Sequence, residues 1–164
     1  MSVTSVEKDP VALTMTITAE LDATVERAWQ LWADARQFEQ WWGPAGYAVT
    51  VVDHDLRSGG RITFFTTWDE GREDSTWDVV AADPPGRLEL RDADVDANGR
   101  PNDGNEMTAM IVTIDAGAGG GAVMAIRTHF SSRAGMEQVL AIGVEEGMLA
   151  IFSQIDAVLA GTPA

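Results

Sequence analysis

The first clear pattern in the chain is an alternating one, and a helical pattern follows it. In Leu13–Leu21 every second residue is apolar, which is the period of a strand with one buried face. After Thr24, a favourable N-cap, the apolar residues recur at helical spacing. Asp34, with Gln37 three residues later, indicates the start of a second, short helix. Pro44 cannot continue that helix, so the chain is expected to turn there.

Short apolar runs separated by glycine, proline and aspartate follow, which is typical of an antiparallel meander. The polar stretch Asp92–Asn105 interrupts the runs and predicts a long loop. The six predicted strands are, in chain order, Ala48–Leu56, Arg61–Trp68, Ser75–Ala82, Leu88–Arg91, Met107–Ile114 and Val123–Phe130.

A long final helix is predicted over Arg133–Ala160, capped by Ser131 or Ser132 and ended by a glycine and a proline. Its apolar stripe contains Gly143 and Gly147, each of which costs a helix about 1 kcal/mol relative to alanine. Two explanations fit this spacing. The missing side chains leave room for a ligand, or they let the sheet backbone approach closely, and we prefer the second.

Composition limits the kind of protein that this pattern describes. The chain has 164 residues and a formal charge of −15, without cysteine. This length predicts one domain, assigned to residues 11–162, after a flexible N-terminus at residues 1–10. The absence of cysteine excludes disulfides and a thiol nucleophile. The negative charge repels phosphate backbones and anionic lipids, so nucleic-acid binding and a membrane-surface role are not expected.

The beginning of the chain has neither the basic start nor the apolar stretch of a secretion signal. No apolar run approaches the roughly 18–20 residues that span a bilayer. The sequence therefore predicts a cytoplasmic protein without membrane insertion. Lys8 is the only lysine.

Several segments resemble those of a known family. The stretch Ala23–Trp29 resembles the opening helix of START-like proteins, in the SRPBCC superfamily that includes the birch-pollen-allergen-like proteins. The segments Trp41–Pro44 and Asp55–Arg61 are similar to signatures of the homologues of the activator of heat-shock-protein-90 ATPase. Ser131–Glu137 is also similar to bacterial members, and the similarity extends over Leu13–Leu159 in the expected order.

The resemblance implies an α+β helix-grip fold. Such a fold has a curved antiparallel sheet of about seven strands around a long C-terminal helix, with two short helices after the first strand. An internal cavity lies between sheet and helix. The branch has no shared set of catalytic residues, so the resemblance identifies none here.

The cavity implied by the fold is expected to hold an apolar ligand, because the sequence places large apolar side chains on the faces that should border it. Trp32 has an alternative interpretation as a core anchor. The residues predicted to line the cavity are Trp32, Trp41, Trp42, Phe64, Trp68, Trp77, Met110, Met136, Leu140, Gly143, Gly147 and Ile151.

The polar residues give no definite catalytic group. Strand parity places His129 on the outer face and lets His54 point inward, and no Gly-x-Ser-x-Gly elbow accompanies either histidine. A carboxylate in the cavity would suit the acid–base chemistry of cyclase and isomerase members of the wider superfamily. Asp78, Glu106 and Glu146 are the candidates, and nothing in the sequence chooses among them.

The loop Asp94–Gly99 matches the first half of a calcium-binding loop. Asn105 stands where such a loop needs glutamate, so an acidic hairpin loop is the preferred interpretation. Neither a metal nor a cofactor is predicted.

Three functions are compatible with the sequence. The leading hypothesis is the binding of a small hydrophobic molecule that is lipid-like, aromatic or polyketide-like. The alternative is an enzyme of the cyclase, isomerase or hydrolase type that uses an acid–base residue in the cavity. The third is a chaperone-associated interaction protein of the stress response, which requires an exposed apolar patch. A homodimer is compatible with each, and the sole tyrosine, Tyr47, is expected near the cavity mouth.

Overall fold

The structure, a computed structural model, describes residues 2–43, 46–93 and 107–161. This part of the chain forms an antiparallel sheet with helices packed on its inner face. The strands are β1 (Ser2–Asp9), β2 (Thr14–Leu21), β3 (Ala48–His54), β4 (Arg61–Trp68), β5 (Gly71–Asp83), β6 (Arg87–Asp92), β7 (Met107–Ala116) and β8 (Ala122–Phe130).

The helices fall into two groups. The first pair lies between β2 and β3, and the other helices follow β8. Their bounds are α1 (Val25–Ala33), α2 (Ala35–Trp41), α3 (Arg133–Ala141), α4 (Val144–Phe152) and α5 (Ile155–Gly161).

The sheet has the strand order β1-β2-β8-β7-β6-β5-β4-β3, and every neighbouring pair is antiparallel. From β3 to β8 the chain is a continuous meander, as the turn signals predicted. The α1–α2 connection carries the chain from β2 to the opposite edge of the sheet. The predicted α+β helix-grip fold is confirmed, with eight strands in place of about seven.

The N-terminal segment differs from the expectation of a flexible N-terminus. Ser2–Asp9 forms β1, which pairs with β2 at the edge of the sheet. An edge strand that buries little surface on either face has no reason to show apolar alternation, so the pattern could not reveal it. Lys8 points towards the helices, and its ammonium group lies 2.6 Å from the carboxylate of Glu145 in α4.

The long C-terminal helical segment predicted over Arg133–Ala160 is present, but a bend divides it, which the prediction did not include. Arg133–Ala141 and Val144–Gly161 meet at an angle of 63°. Gly143 lies at the bend with φ +101°, a conformation that side-chain-bearing residues rarely adopt. A second, smaller break separates α4 from α5 at residues 153–154.

The bend also corrects our explanation of the two glycines. A Cβ added at Gly147 would meet nothing within 4 Å, and one at Gly143 would meet only the carboxylate of Glu146, at 3.6 Å. Close approach of the sheet backbone is therefore not the reason for either glycine. At Gly143 the reason is the backbone conformation itself.

Side-chain caps fix the helices where the sequence predicted them. Thr24 accepts a hydrogen bond from the backbone N–H of Arg27, and Asp34 accepts from those of Arg36 and Gln37. Ser132, rather than Ser131, caps α3.

The buried guanidinium of Arg27 joins the first helices to the last one. It donates to the side-chain oxygen of Gln37 at 2.6 Å and to the carbonyl of Val158 in α5 at 3.1 Å. Buried polar groups are stabilised by such pairing. These contacts close the end of the fold where α1, α2 and α5 meet.

Among the described residues, no single helix is long and apolar enough to cross a membrane. One pair of helical segments meets the length and apolarity criteria when its members are joined, but the two are bent relative to each other: Arg133–Ala141 and Val144–Gly161.

Candidate functional site

A partly open cavity of about 270 Å³ lies on the inner face of the sheet. It extends over β4 to β8 and reaches α4 and the residue that follows α2. The lining residues are Trp42, Phe64, Thr66, Glu73, Ser75, Trp77, Leu90, Arg91, Asp92, Met107, Thr108, Ala109, Met110, Thr128 and Met148.

Strand register explains why these residues meet. Phe64 pairs with Ser75 and Thr66 pairs with Glu73, so all four side chains emerge on the same face of the β4–β5 hairpin. Met110 stands in register between Leu90 and Thr128 in the same way. The cavity is therefore a product of sheet register, and the bend after α3 brings Met148 above it.

Aromatic rings form one side of the cavity. The rings of Trp42 and Trp77 are perpendicular, with centroids 5.2 Å apart. Trp77 also contacts the edge of Phe64, at a centroid distance of 4.9 Å. Behind them Phe38 stacks on Trp42 at 5.5 Å. These contacts hold the rings in fixed orientations, which favours binding of a flat or apolar body.

The other side of the cavity is polar and acidic. Asp92 is in register with Trp77, so its side chain belongs to the inner face, together with Glu73. Arg91 is in register with Asp78, on the outer face, where Asp78 is ion-paired with Arg61 at 3.0 Å. Among the described lining residues, the charged side chains that the register directs inward are therefore carboxylates.

The structure brings together four of the residues predicted to line the cavity: Trp42, Phe64, Trp77 and Met110. The other eight do not line it; seven of them are placed here, and Trp68 is described below. Leu140 packs on the edge of the core, and Gly143 and Gly147 lie at and after the helix bend. The members buried in the core are Trp32, Trp41, Met136 and Ile151.

Trp68 lies on the predicted face but beyond the cavity. It follows Thr66 by two positions in β4, and its ring packs against Tyr47, with centroids 5.5 Å apart. Tyr47 is 46% exposed and contributes nothing to the cavity lining. The two rings pack together at the end of β4, beyond the cavity.

Both histidines lie away from the cavity. The ring nitrogen Nε2 of His54 is 2.8 Å from the carbonyl oxygen of Trp32 and joins β3 to α1. His129 lies on the outer face, as predicted, but its Nε2 is buried and has no hydrogen-bond partner among the described residues. Burial, assisted by the charge of Arg127 and opposed by Glu89, lowers the pKa of His129.

The candidate acid–base carboxylates do not meet in the cavity. Asp78 lies on the outer face, and Glu146 is exposed beside the helix bend. Glu106 and the loop Asp94–Gly99 fall outside the described residues. Within the described ranges, no group of three or more His, Cys, Asp or Glu side chains is placed to hold a metal ion.

The lining residues missed by sequence reasoning are mostly polar or lie in the helix after the bend. Parity would have found Thr66, Ser75 and Glu73 once Phe64 and Trp77 were assigned to the inner face. Met148 could not have been found, because the rotation at the bend is invisible to a straight-helix pattern.

The sequence matches the family described as activator of Hsp90 ATPase homolog 1-like protein over residues 22–160. No curated protein of known function matches it. Protein Ms6760 from Mycobacterium smegmatis is 38% identical, with a TM-score of 0.80 and 99% of both chains covered. A protein from Arthrobacter aurescens is 34% identical, with a TM-score of 0.86, and 98% of this chain and 94% of that one are covered.

An AHSA1-like protein from Aeromonas hydrophila shares the fold, at 18% identity and a TM-score of 0.67, with 90% of this chain and 92% of that one covered. The family match covers most of the chain and agrees with the helix-grip architecture. The chain therefore belongs to the activator of Hsp90 ATPase homolog 1-like family, within the START-like superfamily.

Proposed function

We propose that this protein binds a small hydrophobic molecule in the cavity beneath α4. The observation that carries the proposal is the enclosure of about 270 Å³ by aromatic and methionine side chains on one side and polar groups on the other. Ligand sites combine apolar walls with a few orienting polar groups in this way. The volume is near the lower end of the range for small-molecule sites, so a compact ligand body is expected.

The fixed rings support binding of a planar or aliphatic body. Trp42 and Trp77 are only half-buried, although each has an aromatic neighbour on another element. A bound molecule would remove more of their surface from water, which stabilises the complex by about 25 cal/mol per Å² of apolar area.

The experiment that tests the proposal is native mass spectrometry of freshly purified protein, followed by mass analysis of an organic extract. We expect an apolar adduct that is released on denaturation. The variant Ser75→Phe places a ring in the cavity and should abolish the adduct. Thr76→Phe, on the next residue of β5 and the opposite face, is the matched control and should keep it. An adduct that survives Ser75→Phe, or none even after incubation with apolar ligands, would contradict the proposal.

A further inference from the structure

The charges around the cavity restrict the kind of ligand it can take. We propose, as a refinement that rests on the binding function above, that the ligand is an amphipathic amine. Its apolar body would lie against Trp42 and Trp77, and its positive end would lie towards Glu73. An anionic amphiphile such as a fatty acid is the opposite choice, and the cavity disfavours it.

Glu73 is the first observation. It lies on the inner face of β5, in register with Thr66, and both residues line the cavity. Among the described residues it has no ion-pair partner, and the adjacent Arg72 lies on the opposite face of β5. The guanidinium of Arg72 lies 2.8 Å from Asp74 and 3.8 Å from the ring centre of Phe65. The carboxylate of Glu73 is therefore available to a ligand.

The second observation is the position of Arg91, the one arginine among the described lining residues. Arg91 pairs in register with Asp78 and is exposed, so its strand position directs it outward. A ligand carboxylate in the cavity would then face Glu73, and no cation among the described lining residues is directed inward to balance it. Placing two negative charges close together weakens binding, so the cavity discriminates against anionic ligands.

The aromatic rings give the third observation. Indole and phenyl faces attract cations as well as apolar groups, and indole does so best. Trp42, Phe64 and Trp77 line the same cavity as Glu73, so a ligand can contact rings and carboxylate together. That combination accommodates an ammonium group better than a neutral or anionic one.

The experiment compares three probes with the same aliphatic chain: decylamine, decanol and decanoate. Their affinities are measured by isothermal titration calorimetry below the aggregation limit of each probe, at physiological salt. The salt is needed because a chain of charge −15 attracts any amine at long range. We expect the affinities to fall in the order amine, alcohol, carboxylate.

The matched variants are Glu73→Gln and Asp74→Asn. They remove the same charge from adjacent residues of β5, and the two side chains lie on opposite faces of the sheet. Glu73→Gln should weaken decylamine binding relative to decanol binding roughly three- to fivefold, the range for an exposed ion pair. Asp74→Asn should change neither.

Equal loss of amine binding in the two variants would overturn the inference, since it would show only the effect of net charge. Decanoate binding as tightly as decylamine would overturn it as well. If decanol binds and Ser75→Phe abolishes that binding, the binding function stands while the amine preference fails. If none of the probes binds, the amine preference is rejected, and the native mass measurement decides the binding function separately.

Discussion

Trp41 and Trp42 are adjacent residues in contact with one another, yet they belong to different regions of the molecule. Trp41 is 0% exposed, and its indole N–H donates to the carbonyl of Leu31 at 2.8 Å. Trp42 is half-buried and lines the cavity. We call the first region, around Trp32, Phe38 and Trp41, the packed half, and the second, around Trp42, Trp77 and Met148, the cavity half.

The comparison shows that aromatic content does not distinguish a core from a binding site. Trp32 and Trp41 meet edge to face at 4.9 Å, and Trp42 and Trp77 meet in nearly the same way at 5.2 Å. The two pairs of rings differ in what lies on the side that faces away from the partner ring. In the packed half that side is filled, since Trp32 and Trp41 are buried, whereas in the cavity half the described elements leave about 270 Å³ open.

The largest expected effect is on stability in the packed half. Trp41→Ala should lower the free energy of unfolding by about 3–5 kcal/mol, because it leaves a cavity that its neighbours cannot fill. Trp42→Ala should lower it by roughly 1–2 kcal/mol, since half of that side chain already faces open space. Urea denaturation followed by circular dichroism measures both values, and equal losses would remove the distinction between the halves.

A smaller effect is expected at Gln154, which joins the halves. Its side-chain amide donates to the carbonyls of Trp41 at 3.1 Å and Gly43 at 2.7 Å. Gln154→Ala should cost about 1–2 kcal/mol because both carbonyls lose their donor. It should also weaken ligand binding, since Trp42 lies between these carbonyls.

The control for that variant is Ser153→Ala, an exposed neighbour whose hydroxyl bonds only within its own helix. It should change stability by less than about 0.5 kcal/mol. If Gln154→Ala leaves ligand affinity unchanged, measured by titration with decanol, the two halves are independent.

The helix caps permit a milder comparison. Asp34→Ala removes the cap of α2 in the packed half, and Ser132→Ala removes that of α3, the helix before the bend. Each should cost about 1 kcal/mol in urea denaturation, with the larger loss at Asp34, which accepts two backbone hydrogen bonds where Ser132 accepts one. A larger loss at Ser132 would contradict this order.

The Asp34 carboxylate adds a pH dependence. Burial is the largest single influence and raises its pKa, but the hydrogen bonds from Gln37 and Arg36, together with the charge of Arg36, outweigh burial, and the net pKa lies below the usual value. The ionised cap therefore stabilises the fold above the ordinary carboxylate pKa, and this stabilisation is lost as pH falls through the lowered one. Asp34→Ala should show less acid sensitivity in the same denaturation measurement.

The smallest effect concerns His129, which lies on the outer face and belongs to neither half. Because burial lowers its pKa, the unfolded chain binds a proton at a pH where the folded chain does not. Stability should therefore fall as the pH decreases below the ordinary histidine range, and His129→Gln should reduce that slope. Denaturation midpoints at about pH 7.5 and about pH 5.5 measure it, and an unchanged slope in the variant would contradict the assignment.

Local patterns predicted the parts of this fold that depend on neighbouring residues. The caps at Thr24 and Asp34 and the meander from β3 to β8 follow from short-range spacing, and all are present. Phe64, Trp77 and Met110 line the cavity as predicted because strand parity is a local property, and Trp42 lines it from the end of α2. Residues 94–106 lie outside this comparison.

The remaining differences have a common physical origin in tertiary geometry. The bend at Gly143 rotates everything after it, so a stripe drawn for a straight helix could not locate Met148. Trp41 and Trp42 differ only in what packs beyond them, which composition does not encode. β1 owes its structure to pairing with β2 rather than to any apolar period of its own.

The contact between Lys8 and Glu145 makes the protein convenient for chemical labelling. Lys8 is the only lysine in the chain, and its side chain is 45% exposed. An amine-reactive dye will therefore modify one side chain, apart from any free α-amino group. Because the amine must leave the Glu145 carboxylate and lose a proton before it can react, the labelling rate reports how firmly this ion pair holds. Glu145 belongs to α4, the helix that carries Met148, so the same dye would report whether an occupant of the cavity changes the contact between Lys8 and α4.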